Sequence, residues 1–191
     1  MQLWIGLGNP GPKYALHRHN VGFMAADAIA EAYGFDPPRR AFRSEARAGR
    51  IGTERVLLLK PQTFMNEVGQ AAGEAMRFHK LAPADVTVFH DELDLAPFRV
   101  KVKRGGGTAG HNGLRSTERH LGTPDFRRVR LGIGHPGHKD RVTGHVLGNY
   151  AKAEMDDLSA MLGAVATEAE WLAKGDDPRF MNEVALRLQA P

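Results

Sequence analysis

Three strand-like, mostly apolar runs, Leu3-Trp4-Ile5, Val56-Leu57-Leu58-Leu59 and Val86-Thr87-Val88-Phe89, each end near a polar segment carrying asparagine, aspartate or histidine. Runs this short suit buried strands. Between them the period changes: Val21, Met24, Ala25, Ala28, Ile29 and Ala32 recur at helical spacing, as do Val68, Ala71, Ala72, Ala75 and Met76. Strands alternating with amphipathic helices constrain the chain to an α/β architecture with a mixed, mostly parallel twisted sheet flanked by helices. Such sheets place their chemistry just outside strand ends. Four polar islands fall at such positions: Gly8-Asn9-Pro10-Gly11 with Arg18-His19-Asn20, then Phe64-Met65-Asn66, His90-Asp91-Glu92, and the glycine run Gly105-Gly106-Gly107 followed by Gly110-His111-Asn112-Gly113.

The same patterns predict strands over 2–7, 43–51, 54–60, 86–90, 97–103 and 127–133, with 43–51 and 54–60 paired across Gly52-Thr53. Helices are predicted over 20–33, 66–80, 112–121 and 151–173. A last short helix is expected to be capped by Asp177, with Pro178 at its first position. The stretch from Gly134 to Asn149, rich in glycine, histidine and basic residues, reads as a long surface loop. A length of 191 residues fits one domain over 1–191 with a sizeable core.

Composition narrows the function classes. There is no cysteine, so disulfides and thiolate chemistry are excluded, and a reducing cytoplasm is the expected location. No segment approaches the roughly 20 apolar residues of a membrane span. The net charge of +4 is modest, but its distribution is uneven. Arginines cluster at 39, 40, 43, 47 and 50; Lys101, Lys103 and Arg104 lead into the glycine run; Arg127, Arg128 and Arg130 follow. Acids gather at Glu154, Asp156, Asp157, Glu168 and Glu170. A basic face on the body of the domain suggests a polyanionic partner.

The islands leave several chemistries open. Gly6-Leu7-Gly8-Asn9-Pro10-Gly11 has the G-x-G-x-x-G spacing of a dinucleotide site, but Pro10 removes a backbone N–H that a pyrophosphate needs, and the turn serves better to aim Asn9 into a cleft. The glycine run lacks the Lys-Ser/Thr ending of a P-loop. His19 becomes a candidate general base if Asp91, costly to bury unpaired, accepts a hydrogen bond from one ring nitrogen and leaves the other for substrate. Asn66 and Asn112 can donate to an oxyanion or hold a water, or cap the helices that follow them. A zinc site built from His17, His19, His90, Asp91 and His111 is the competing hydrolytic reading. A non-catalytic RNA-binding module is another, although no aromatic stacking cluster is present.

Taken in register, the islands resemble the bacterial peptidyl-tRNA hydrolase family. The matching pieces are Gly6–Gly11 with Tyr14, Arg18-His19-Asn20-Val21-Gly22, Lys60-Pro61-Gln62-Thr63-Phe64-Met65-Asn66, and His90-Asp91-Glu92-Leu93-Asp94. Lys101–Gly107, Gly110–Leu114 and Arg130–Gly137 complete the set. His17 departs from the pattern, where threonine is more usual. The resemblance implies a cytoplasmic, monomeric enzyme of translation, without metal, cofactor or obligate protein partner. It would hydrolyse the ester between a peptide and the terminal ribose of tRNA. It implies His19 as base, Asp91 as its orienter, and Asn9, Asn66 and Asn112 as ligands of peptide, oxyanion and water. Tyr14, Asn20, Phe64, Met65, Lys101, Lys103, His111, Arg130 and Lys139 would contact the peptidyl end or the tRNA, with the glycine run and the 134–149 segment as lids.

Overall fold

One seven-stranded sheet organises the chain, in the order β2-β3-β4-β1-β5-β7-β6. The structure, a computed structural model, describes residues 1–189. The strands are β1 (Gln2–Gly6), β2 (Arg39–Ala41), β3 (Ser44–Ile51), β4 (Glu54–Pro61), β5 (Val86–Glu92), β6 (Val100–Arg104) and β7 (Arg127–Gly132). The helices are α1 (Val21–Ala32), α2 (Val68–Phe78), α3 (Asn112–Leu121), α4 (Val142–Val146), α5 (Met155–Ala173) and α6 (Asp177–Gln189). Four central strands, β4, β1, β5 and β7, run parallel. Antiparallel pairs finish both flanks: β2–β3 and β3–β4 on one side, β6–β7 on the other. None of the described helices is long and apolar enough to cross a membrane.

Each face of the sheet carries its own core. Leu3 and Ile5 of β1 join Leu57, Leu59 and Val88 beneath α2 and α3. Trp4, between them in sequence, turns the other way to meet Ile29 of α1 and Val165 of α5. This alternation is the period-two pattern of a strand covered on both faces. It explains why β1 and β5 are almost continuously apolar until the site begins.

Several boundaries differ from the sequence reading, and β6 begins at Val100 rather than at residue 97. Residues 134–149 are not an unstructured loop: a 3-10 turn at Lys139–Arg141 leads into α4. The last helix spans 13 residues, and Asp176 rather than Asp177 caps it, accepting from the Arg179 N–H at 3.1 Å. Asp177 instead pairs with Arg127 at 2.9 Å. β2 has no apolar pattern to announce it, and its exposed Arg39 and Arg40 keep an open sheet edge soluble.

Much of the arginine clustering is structural. Arg127 is buried and donates to Thr87 Oγ1, the Leu172 carbonyl and Asp177. Arg128 is fully buried, stacks on Phe126, and holds the Gly107 and Pro124 carbonyls. Of the three late arginines, only Arg130 retains part of its exposure.

Candidate active site

The site forms where β1 stops and β5 continues. Gly6, the last residue of β1, lies opposite Phe89, so Asp91 stands beyond the end of its neighbour on that side. The chain leaving β1 passes through Asn9 and a 3-10 turn at Arg18–Asn20, then enters α1. Gly22 permits the approach: a Cβ there would lie 2.6 Å from the Leu7 nitrogen. The close seat of α1 brings His19 over Asp91, with Nδ1 2.9 Å from Oδ2.

Asp91 is shared. Its other oxygen, Oδ1, lies 2.8 Å from Nε2 of His111. Nδ1 of His111 accepts from the backbone N–H groups of Gly113 and Leu114, at 3.1 and 3.3 Å, and so caps α3. A nitrogen that accepts carries no proton, so these bonds fix the Nε2–H tautomer, which donates to Asp91. Burial alone would raise the Asp91 carboxyl, but the His111 and His19 rings outweigh it and hold the group well below the usual carboxylate range. Burial pulls the His19 imidazolium the other way, and Asp91, by charge and hydrogen bond, more than compensates, so His19 is more basic than an ordinary histidine. His90, next to Asp91 in β5, donates from Nδ1 to the Asp91 carbonyl at 2.8 Å. Burial above all, with the nearby His111 and despite Asp91, lowers it to about 3.

A cavity of about 450 Å³ opens over this cluster. His19 lines it with Nδ1 already bound to Asp91, which leaves Nε2 available to a ligand. Asn9, Asn66, Asn112 and Met65 also line it. The Asn9 amide is oriented by the chain, since its Oδ1 accepts the Met65 N–H at 2.8 Å. Its NH₂ is therefore the end free to donate. Asn66 and Asn112 are exposed and neither caps a helix, because Glu67 and His111 hold those positions. The opposite wall is apolar, made by Val142, Val146 and Leu147 around α4.

The remaining expected residues divide. Phe64, 55% exposed, lines the cavity, and Tyr14 packs edge-on against it at 6.2 Å without lining the cavity itself. Asn20 is buried, and both ends of its amide are bound to the Asn9 backbone, at 2.9 Å each, so its evident work here is to position Asn9. Lys101 and Lys103 on β6 face Arg130 and Arg128 on β7 in register, and Arg130 donates to Glu92 at 2.8 Å. Lys139 is exposed in the turn before α4. Both expected lids are tied down: Gly107 through Arg128, and the α4 segment through Arg18, which bonds the Gly148 and His145 carbonyls.

The metal alternative meets an obstacle in the tautomer. The ligating atoms of His19, Asp91 and His111 lie within 4.8 Å of one another. Coordination through His111 Nε2 would drive its proton onto Nδ1, against two backbone donors. His17 sits instead in a β-bridge with Asn149.

Sequence reasoning missed the cap made by His111 and the apolar wall around α4. The signal for the first was present: histidine stands where α3 needs a side-chain acceptor, three residues before Leu114.

Residues 3–190 match the family model described as peptidyl-tRNA hydrolase. A protein of that name from Erythrobacter litoralis is 75% identical over 190 residues, covering all of both chains. One from Novosphingobium aromaticivorans is 72% identical, over 99% of this chain and 98% of its own. The crystal structure of peptidyl-tRNA hydrolase from Acinetobacter baumannii superposes with a TM-score of 0.90 at 39% identity, over 96% of this chain and 94% of that one.

Proposed function

The chain belongs to the peptidyl-tRNA hydrolase family and hydrolyses peptidyl-tRNA, and we propose that His19 is the general base of that reaction. The observation that carries this is the 2.9 Å hydrogen bond from His19 Nδ1 to a buried carboxylate, with the rest of the ring lining the cavity. A water held at Nε2 gives its proton to the ring as its oxygen attacks the ester carbonyl. Asp91 stabilises the imidazolium that forms. The tetrahedral intermediate collapses by breaking the bond to the ribose oxygen, and His19 returns the proton to that leaving group. Asn66 donates to the oxyanion, and Asn112 holds the water or the peptide. A positioned base of this kind contributes about 10²–10⁴-fold.

The Asn9 amide supports a reading of specificity. With Oδ1 occupied by Met65 N–H, its NH₂ pairs with the carbonyl of an acylated α-nitrogen. A free aminoacyl-tRNA offers an ammonium, which is donor-only, and two donors cannot pair. The enzyme would thus spare charged tRNA and cleave the peptidyl form.

Lys101, Lys103 and Arg130 stand on one side of the β6–β7 pair, like charges directly opposite one another. Glu92 answers Arg130, and among the described residues the two lysines are left to meet another anion, which supports contact with tRNA phosphates, groups that position a substrate without reading its sequence. Lys139 extends this surface. This reading takes the chain to act as a monomer in the cytoplasm, as the family resemblance implies. The test is hydrolysis of an N-acetylated aminoacyl-tRNA beside its free counterpart. Release of tRNA from the acetylated form alone is expected, and equal cleavage of both would refute the role given to Asn9.

A further inference from the structure

We propose that His111 is a positioning residue that shares the Asp91 carboxylate with His19 and so limits how basic the His19 ring becomes. This rests on the assignment of His19 as the base. It departs from the contact with tRNA or peptide that the family resemblance suggests for His111.

The argument begins with donors and acceptors. Asp91 faces two imidazoles, one at each oxygen, at 2.9 and 2.8 Å. They are not equivalent. Nδ1 of His111 is occupied by the two N–H groups that open α3, so this ring meets Asp91 through its Nε2–H alone. His19 has no such restraint, and Nε2 is free. One buried anion therefore serves a ring whose Nε2 is open to a proton and a ring whose Nδ1 is already engaged by the backbone. Every share of hydrogen bonding drawn by His111 is unavailable to stabilise the His19 imidazolium.

The surroundings contain the other groups that bear on His19. The His19 and His111 rings lie 5.0 Å apart, and the His90 ring packs edge-on against His111 at 5.3 Å. Arg18, beside His19, is paired with Glu154 at 3.0 Å and lies over Tyr150. Glu92, beside Asp91, is paired with Arg130. The neighbouring full charges are thus already matched, while His90 and Tyr150 are held uncharged by burial. His111 is the remaining variable at the carboxylate.

His111→Ser and His111→Asn separate this role from others. Both residues are favourable N-caps, so α3 keeps an acceptor, but neither side chain reaches as far as imidazole toward Asp91. Two readouts are needed: the acid limb of kcat/KM against pH with N-acetylated aminoacyl-tRNA, and titration of the His19 ring by NMR without substrate. In both variants we expect the limb and the ring titration to move up together by about half to one pH unit, with KM changed less than about twofold. A fixed His19 titration would overturn the proposal. So would a raised KM with an unmoved limb, which would make His111 a substrate contact. If the His19 titration moves while the limb does not, the sharing stands as a property of the ring and the base assignment falls instead.

Discussion

The cavity floor and the β6–β7 flank use charge in opposite ways. At the floor, one carboxylate with a side chain only 2% exposed is matched by hydrogen bonds from two histidines, and the orientations of His19, His111 and Asn9 follow from their neighbours. On the flank, Lys101, Lys103 and Arg130 stand together, and among the described residues only Glu92 is a partner at bonding distance. Buried charge is expensive and therefore held in one geometry. Partly exposed charge is screened by salt and tolerant of geometry. Proton transfer needs the first, and grip on a varied polyanion needs only the second. Chemistry and binding should therefore be separable by mutation.

The largest effect expected is from His19→Ala: a fall in kcat of about 10²–10⁴-fold, with affinity for uncleaved N-acetylated aminoacyl-tRNA changed less than about twofold. Parallel loss of both would erase the distinction between floor and flank. Next comes Asn9→Asp, which keeps the acceptor for Met65 N–H but lacks the NH₂ donor. Its kcat/KM for the acetylated substrate should drop about 10–100-fold, and its preference over free aminoacyl-tRNA should narrow. An unchanged preference measured in paired assays would remove Asn9 from substrate recognition.

Lys103→Ala sharpens the other side of the comparison. Affinity should weaken several-fold at low salt, and the slope of log K against log salt should fall by about one contact, with kcat preserved. A variant whose slope matches the parent would show that Lys103 meets no phosphate. The last effect concerns stability and leaves turnover near neutral pH untouched. His90 titrates at about 3 when folded against 6.5 ordinarily, so on acidification the unfolded chain takes a proton first. Folding stability should therefore decline from about pH 6.5 toward about pH 3, by up to about 1.4 kcal/mol per pH unit. His90→Phe should flatten that decline in denaturant titrations across this range, and an unaltered slope would place the acid sensitivity elsewhere.

The architecture was legible in the sequence because its central strands are buried on both faces and read as solid apolar runs. The cost of a lone carboxylate at the end of such a strand called for a partner at Asp91 without naming it, and the family resemblance supplied His19. Other features were not legible for physical reasons. Asn20 and Asn9 have the same amide, and only their separation in space shows which one grips the other's backbone. Arg127, Arg128 and Arg130 lie within four positions of one strand, yet the first two are buried by α5, α6 and the Gly105–Gly107 segment that come from elsewhere in the chain. The α4 wall is too short, at five residues, to show a helical period.

The most direct measurement is to place the titration of the His19 ring beside the acid limb of kcat/KM. Burial lowers this ring, but the charge of Asp91, with its hydrogen bond, outweighs that and raises it above its ordinary 6.5. The rate should therefore begin to fall at a pH above that value, losing about tenfold per unit below it. The account predicts that the two midpoints coincide and that the limb disappears in His19→Ala. A ring that titrates below 6.5, or a limb that survives the substitution, would contradict it.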